Sequence, residues 1–178
     1  MGKLYRKHYQ KISAKMGEFV HLTDKKWDIF EDWKDYDDLN LLKDMFINKP
    51  NGLYISGKIG TGSWMDWCLA ENFYTSSKHC FAVDITIDRT RLLEIFTPLD
   101  VKNCVEKYGH NPLNGIYKWA SFEPQAIDWN NVAKDYDGII VKYDDIYDFS
   151  QAWTTTLDCN CACIWNKRAI LQWKYLDL

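Results

Sequence analysis

Residues 52–68 read GLYISGKIGTGSWMDWC, and this stretch joins a predicted strand to a predicted helix through a glycine-rich loop. The first residues after the leading glycine, LYIS, form a short apolar run that is typical of a buried strand. Ser63 can cap the helix that follows, and Asp66 stands where it completes a capping box. Trp64 and Trp67 lie one turn apart on one face of that helix. The stretch therefore predicts strand, loop and helix in direct succession.

The glycine loop, residues 57–62, does not match a known phosphate-binding motif. The motif G-x-x-x-x-G-K-[ST] needs a hydroxyl residue after its lysine, whereas Ile59 follows Lys58 here. The glycines also lack the G-x-G-x-x-G spacing of dinucleotide-binding folds. A flexible loop between a strand and a capped helix is a common place for a segment that covers a ligand. We therefore predict a mobile ligand-covering loop and no hydrolysis of nucleoside triphosphates.

The rest of the chain adds strands and helices without a regular alternation. Short apolar or alternating runs predict strands at 16–23, 79–87, 92–96, 115–121, 138–142 and 160–165. Acidic caps predict helices at 37–46, at 100–107 and from 128 onward. Helices concentrate in the first half and strands in the second, unlike the alternation of a doubly wound fold. The prediction is an α+β fold with a largely antiparallel sheet and flanking helices.

Composition and charge exclude several classes of protein. The chain has 178 residues, of which 47% are apolar and 26% charged, so residues 1–178 are expected to form a single domain. A net charge of −3 provides no basic field for non-specific binding to nucleic acid. No apolar run approaches the ~18 residues of a membrane-spanning helix, and no signal sequence follows the basic start. We expect a cytoplasmic protein without membrane association, whose first ~15 residues are a mobile basic extension.

Cysteine spacing and aromatic content are the unusual features of the composition. Cys159, Cys161 and Cys163 alternate, so a strand would carry all three thiols on one face. Zinc sites usually need a turn between paired ligands, so we predict no metal site and interpret the thiols as small apolar side chains. The aromatic content is 16%, including nine Trp and eleven Tyr. These rings either pack the core or line a pocket for a flat ligand.

Short pieces of sequence also occur in a characteristic order. His21 in an early predicted strand is followed by GLYIS at 52–56, by Trp67-Cys68 in the next helix and by FAVDI at 81–85. Two late pieces are YDGII at 136–140 and CACIWN at 161–166. In this order they resemble the ADP-ribosyltransferase superfamily, especially its diphtheria-toxin-like and poly(ADP-ribose) polymerase branch. The resemblance covers most of the chain and implies split, largely antiparallel β-sheets, with NAD as the substrate.

The resemblance implies eight NAD-binding residues, which are His21, Leu22, Thr23, Gly52, Tyr54, Ser56, Trp64 and Trp67. His21 matches the family histidine that holds a ribose, and Tyr54 matches the tyrosine that stacks on nicotinamide. Ser56 fits the small hydroxyl that meets the carboxamide. Trp67, just before a cysteine, resembles the second aromatic of the nicotinamide sandwich, and Trp64 competes for that role. Each residue also has a structural interpretation, as a satisfied imidazole or as a packed aromatic.

The catalytic acid is where the chain departs from the family. Active members carry a Glu on the last strand, which bonds the ribose 2′-hydroxyl and stabilises the positive charge that develops on C1′. Aligned on residues 163–166, this position falls at Cys161, which supplies no carboxylate. The nearest acid is Asp158, which reaches the site if the strand begins with a bulge. The resemblance thus implies a catalytic group of Asp158, His21 and Tyr54.

Three functions remain open at this point. The first is mono-ADP-ribosyl transfer from NAD to an acceptor, whose nature the sequence leaves open, as it does the oligomeric state. The second is a catalytically inactive module of the same fold that binds NAD or ADP-ribose, consistent with the missing Glu. The third is an interaction domain whose many aromatic residues form a docking surface, because Trp and Tyr are frequent hot spots of protein interfaces.

Overall fold

The computed structural model describes residues 2–24, 26, 49–58, 60–71, 73, 81–110, 126–146, 153–154, 157 and 159–178. Its helices are α1 (Gly2–Lys15), α2 (Trp64–Ala70), α3 (Pro98–Tyr108), α4 (Trp129–Asp135) and α5 (Tyr143–Ile146). Its strands are β1 (Phe19–Thr23), β2 (Leu53–Ser56), β3 (Phe81–Ile87), β4 (Leu92–Ile95), β5 (Gly109–His110), β6 (Ala126–Ile127), β7 (Gly138–Val141), β8 (Cys161–Ile164) and β9 (Ile170–Tyr175). The predicted helix at 37–46 and the predicted strand at 115–121 lie outside the described residues. Within these ranges, no helix combines the length and the apolar character needed to cross a membrane.

Seven strands form one mixed sheet in the order β4-β7-β8-β2-β1-β3-β9, and β5 with β6 forms a separate two-stranded ribbon. Neighbours in the large sheet run antiparallel except β4 and β7, which run parallel. The predicted α+β fold with a largely antiparallel sheet is therefore confirmed. The split into two large sheets is not seen in the described part of the chain, because β2 pairs with both β1 and β8 and so joins the two halves.

The two faces of the large sheet bury different apolar clusters. The cluster between the sheet and helices α3 and α4 includes Val101, Cys104, Trp129, Val132, Ile139, Val141, Cys163 and Trp165. The cluster on the opposite face includes Phe19, Leu53, Ile55, Val83, Ile85, Ile140, Ala162 and Ile164. Successive residues of β7 and β8 alternate between the two clusters, as the pleat of a strand requires. These central strands are buried on both faces, which explains why their sequences are continuous apolar runs.

Helix α1 occupies the segment that sequence analysis expected to be a mobile basic extension. Tyr9, Ile12 and Met16 recur at helical spacing, and all three are buried against α2 and the β1–β3 part of the sheet. The side chain of Lys15 donates a hydrogen bond to the carbonyl of Asp177, near the other end of the chain. The segment is rich in lysine, so its narrow apolar stripe was not recognised, although this stripe is the sequence pattern that predicts the helix.

Helix starts agree closely with the local capping patterns. The predicted capping box at Ser63 is present, and Asp128 caps α4 by accepting a hydrogen bond from the amide of Asn131. Helix α3 begins earlier than predicted, because Thr97 is its N-cap and Asp100 is the acid that completes the box. The prediction that Asp100 is itself the cap is therefore wrong. A Thr-x-x-Asp sequence places the acid in the first turn of the helix.

Candidate functional site

A cavity of about 260 Å³ lies where β1, β2, the segment leading into β8 and helix α2 meet. The described residues that line it are Val20, His21, Leu22, Lys49, Tyr54, Ile55, Ser56, Trp64, Cys159 and Cys161. The sheet register accounts for part of this grouping, since Ser56 lies opposite Val20 on one neighbour and opposite Cys161 on the other. Directly opposite residues share a face of the sheet. Five of the eight predicted NAD-binding residues thus surround one cavity, namely His21, Leu22, Tyr54, Ser56 and Trp64.

His21 stands where β1 and β2 separate. The registered pairing of these two strands is confined to Val20 and Ser56, and beyond it the His21 ring bonds the carbonyl of Tyr54, with Nδ1 at 2.9 Å. Because a carbonyl can only accept, we assign the proton to Nδ1, which makes Nε2 an acceptor in the neutral ring. Burial lowers the pKa of His21 below its ordinary value of 6.5, although the bond to Tyr54 opposes this effect. The imidazole is therefore neutral at neutral pH.

Tyr54 contributes its ring to the cavity while its hydroxyl is bound elsewhere. The hydroxyl donates a hydrogen bond of 2.7 Å to the carbonyl of Pro50. The ammonium of Lys49 lies 4.6 Å from the centre of the Tyr54 ring, at the distance of a cation–π contact. Burial raises the pKa of Tyr54 well above its ordinary value, so the phenol stays protonated. A flat ligand that stacks on the face next to Lys49 must first displace that ammonium.

Ser56 and the two tryptophans hold α2 against the end of β2. The hydroxyl of Ser56 accepts a 3.1 Å hydrogen bond from the backbone amide of Trp64, and it donates one of 3.2 Å to the carbonyl of Gly57. The indoles of Trp64 and Trp67 are stacked, with ring centres 4.7 Å apart, and both make edge contacts with Phe73. The structure places Trp64, and not Trp67, in the lining of the cavity. The reason is local, because Trp64 begins the helix directly beside Ser56.

Gly52 has a clear role in the sheet. A Cβ atom built on Gly52 would lie 2.5 Å from the carbonyl oxygen of Ile164 and 2.7 Å from Sγ of Cys163, so no side chain fits there. Gly52 is absent from the cavity lining, and so is Thr23, which ends β1 opposite Phe81. Three of the predicted NAD-binding residues, Thr23, Gly52 and Trp67, therefore lie outside the lining.

The glycine loop folds around the carboxylate of Asp66. The amides of Gly60 and Thr61 donate to this carboxylate at 2.8 and 3.2 Å. Gly60 and Gly62 have φ angles of 84° and 66°, which glycine adopts at little cost. The backbone amides that a phosphate group would use are thus taken by an acid of the same chain. The described loop residues contribute nothing to the lining of the cavity, so the predicted ligand-covering role is not seen there.

Two thiols complete the lining of the cavity. Cys159 and Cys161 belong to the lining, and no Asp or Glu does among the described residues. Asp158, the predicted catalytic acid, lies outside the described residues. Sequence analysis did not assign Lys49 or Cys159 to the site. For Cys159, the alternating cysteines were the only signal in the sequence. In the described ranges, no three His, Cys, Asp or Glu side chains gather closely enough to hold a metal ion.

The cavity offers a flat ligand two aromatic rings, a neutral imidazole and a cation, from Tyr54, Trp64, His21 and Lys49. The neighbouring thiol of Cys163 is protonated, because burial raises its pKa to about 12. Such a site suits a small ring that stacks on an aromatic side chain and is joined to a hydroxyl-bearing or anionic group.

Comparison with models of known protein families, with curated proteins and with solved structures finds no match to this chain.

Proposed function

We propose that this protein binds NAD with the nicotinamide end in the cavity and transfers ADP-ribose from it to an acceptor. The observation that carries the proposal is the convergence of His21, Leu22, Tyr54, Ser56 and Trp64 on one cavity. These residues were selected from their order in the sequence, and they come from three separate elements. We further propose that the sheet is an ADP-ribosyltransferase-like sheet, with its site at the short junction of β1 and β2.

The size and lining of the cavity favour one end of NAD. A volume of about 260 Å³ is just below the range of about 300–1,000 Å³ for pockets that enclose a whole small ligand. It suits a pyridine ring and part of a sugar, with the remainder of the molecule outside. In the proposed complex the nicotinamide lies beside the Tyr54 ring, and Trp64 replaces Trp67 as the second aromatic. Lys49 then moves off the ring, and its long flexible side chain can pair with the diphosphate.

The reaction would break the bond between C1′ of the ribose and the ring nitrogen of nicotinamide. The electron pair of that bond leaves with nicotinamide, and a hydroxyl or amine of the acceptor forms the new bond to C1′ and loses its proton. The transition state has the oxocarbenium character known from glycoside hydrolysis. In this mechanism Nε2 of His21 accepts a hydrogen bond from a ribose hydroxyl. Tyr54 and Trp64 hold the leaving ring, and Asp158 supplies the acid that stabilises the charge on C1′.

Nicotinamide release from NAD tests the proposal directly. The full-length protein is incubated with NAD labelled in the adenylate part and with a cell lysate, and both free nicotinamide and label on any acceptor are measured. We expect Asp158→Asn to lower the rate about 10²–10³-fold, the range for losing one group that stabilises a transition state. The matched control is Glu106→Gln, an exposed acid of α3 outside the cavity lining. Equal rates for both variants would remove Asp158 from the mechanism.

A module that binds NAD or ADP-ribose without transfer is the second candidate. It is favoured by Cys161, which stands where the family has Glu, and by a described lining that contains two thiols and no acid. This candidate predicts that NAD raises the melting temperature while no nicotinamide is released. If neither NAD nor ADP-ribose raises the melting temperature at millimolar concentration, both candidates are wrong. The remaining prediction from the sequence, an aromatic docking domain, would then be the one to pursue.

A further inference from the structure

A second and larger groove lies beside the glycine loop. Its volume is about 600 Å³, within the usual range for small-molecule sites. The described residues that line it are Gly17, Glu18, Phe19, Gly57, Lys58, Thr61, Arg89, Phe96, Ile140, Val141, Lys142, Asn160 and Cys161. The lining combines an apolar floor with three cationic side chains and a single acid. No part of the proposed NAD chemistry uses this groove.

The groove lies where β1 and β8 begin and where β2 and β7 end, next to the cavity. Phe19 and Ile140 belong to the apolar cluster of one face, together with Ile55 and Ala162. Tyr54, by contrast, packs against the cluster of the other face. Among the described residues, Cys161 is the one that lines both spaces. A ligand in the groove therefore has a different set of contacts from a ligand in the cavity.

Two lysines follow the ends of two interior strands beside the groove. Strands β2 and β7 flank β8 and both run antiparallel to it, so Ser56 and Val141 both lie opposite Cys161 at one edge. Lys142 follows Val141 directly, and Lys58 comes two residues after Ser56. Because β2 and β7 are two strand spacings apart, Ser56 and Val141 lie about 10 Å from each other. Both lysines are exposed, and their long side chains can reach one ligand between them.

The charge of the groove is opposite to that of the whole protein. The chain has a net charge of −3, whereas the groove is lined by Lys58, Arg89 and Lys142 against Glu18. Arg89 is already neutralised, since it contacts Glu18 at 3.3 Å and Glu94 at 2.7 Å. Its guanidinium also lies 5.6 Å from the centre of the Phe96 ring. The groove thus places a planar cation–aromatic pair on one side and two lysines at its edge.

We propose that this groove binds a small organic phosphate that carries a flat ring, such as a nucleoside phosphate. The phosphate groups lie between Lys58 and Lys142, which attract them as point charges. The ring lies beside Arg89 and Phe96, over the apolar floor of Ile140. The site is independent of the proposed function, because its lining includes none of the residues that would hold nicotinamide.

Isothermal titration of the full-length protein with ADP tests this site. We expect Lys58→Glu and Lys142→Glu each to weaken ADP binding about tenfold or more, the size of losing one bond to a charged group. Lys134→Glu is the matched control, because it reverses an exposed charge on α4, outside the groove lining, and should leave ADP binding unchanged. Adenosine, which lacks phosphate, should bind at least about tenfold more weakly than ADP. All three lysines are exposed, so the melting temperatures should stay close to that of the wild type.

Two results would overturn this proposal. One is wild-type protein that fails to bind ADP at millimolar concentration. The other is ADP binding that survives Lys58→Glu and Lys142→Glu unchanged. A Tyr54→Leu variant separates the two sites, since it alters the cavity and leaves the groove intact. If Tyr54→Leu abolishes ADP binding and the lysine variants do not, ADP occupies the cavity and the groove proposal is wrong. If only the lysine variants weaken ADP binding, the groove is supported whatever the outcome with NAD.

Discussion

Tyr54 provides the sharpest test of the proposed NAD site, because its hydroxyl and its ring do different work. The hydroxyl donates a 2.7 Å hydrogen bond to the carbonyl of Pro50, away from any stacked ligand. Tyr54→Phe removes this bond and keeps the ring. A hydrogen bond of this kind contributes about 1 kcal/mol to the free energy of unfolding. For a chain of 178 residues that corresponds to a melting temperature about 2–4 °C lower.

Tyr54→Leu removes the same hydrogen bond and also the aromatic face, while it keeps an apolar side chain. The comparison of Leu with Phe at this position therefore isolates the ring. Aromatic stacking is worth about 0.5–1.5 kcal/mol beyond the area that it buries, which equals a factor of about 2–12 in affinity. We expect NAD to bind Tyr54→Phe as tightly as wild type, and Tyr54→Leu more weakly by that factor. Isothermal titration with NAD measures both affinities, and thermal unfolding without ligand measures the hydrogen bond.

The reasoning fails if the Phe and Leu variants bind NAD with equal affinity, since the ring then makes no contact with the ligand. It also fails if Tyr54→Phe binds NAD many times more weakly than wild type. That result would mean that the hydroxyl contacts the ligand and not Pro50. A melting temperature that is unchanged in Tyr54→Phe would show that the bond to Pro50 adds nothing to stability. Each part of the argument can therefore be refuted separately.

Three further predictions concern Gly52, His21 and Asp66. Gly52→Ala should destabilise the fold by about 1–3 kcal/mol, because its Cβ would meet the Ile164 carbonyl at 2.5 Å; unchanged thermal unfolding would contradict this. Because the pKa of His21 is lowered on folding, the unfolded chain binds more protons below about pH 6.5, so stability should fall with decreasing pH. His21→Asn, which cannot titrate, should show a smaller loss between pH 7 and 5, and equal slopes would refute the assignment. Asp66→Ala removes an acceptor at the start of α2, so it should lower the free energy of unfolding by roughly 0.5–2 kcal/mol. It should also speed hydrogen exchange at the Gly60 amide, and unaltered exchange would argue that the carboxylate does not hold the loop.

The parts of the fold that follow from neighbouring residues could be predicted from the sequence. The capping box at Ser63 and the cap at Asp128 need only side chains and amides within one turn, and the sequence contains both partners. The buried strand β7 is a continuous apolar run. The edge strand β9 escaped prediction, because its exposed residues such as Leu171 and Gln172 blur the alternation expected for a strand. A helix at the start of the chain was missed since its lysines outnumber the few residues that it buries.

The candidate site was predicted less completely, for reasons that lie in the sheet. Lys49 approaches the Tyr54 ring from the turn that precedes β2, a contact that no short motif records. Cys161 enters the lining because of its register opposite Ser56, which depends on the pairing of strands more than 100 residues apart in sequence. The choice between Trp64 and Trp67 depended on which turn of α2 meets the end of β2. The order of motifs thus left open which residues line the cavity, and long-range strand register and side-chain direction determine it.

Binding and turnover depend on different residues in the proposed site. The affinity for NAD would come from His21 on β1, Tyr54 on β2 and Trp64 on α2. The acceleration would come from an acid near C1′, a role that the proposal gives to Asp158 because the resemblance aligns the Glu of active transferases with Cys161 on β8. Losing one such stabilising group costs about 2.7–4 kcal/mol in the transition state, while the contacts to nicotinamide are untouched. A chain that replaces this acid can therefore keep the cavity and lose most of the rate. The transferase and the inactive binding module thus share one architecture, and the acid alone separates them.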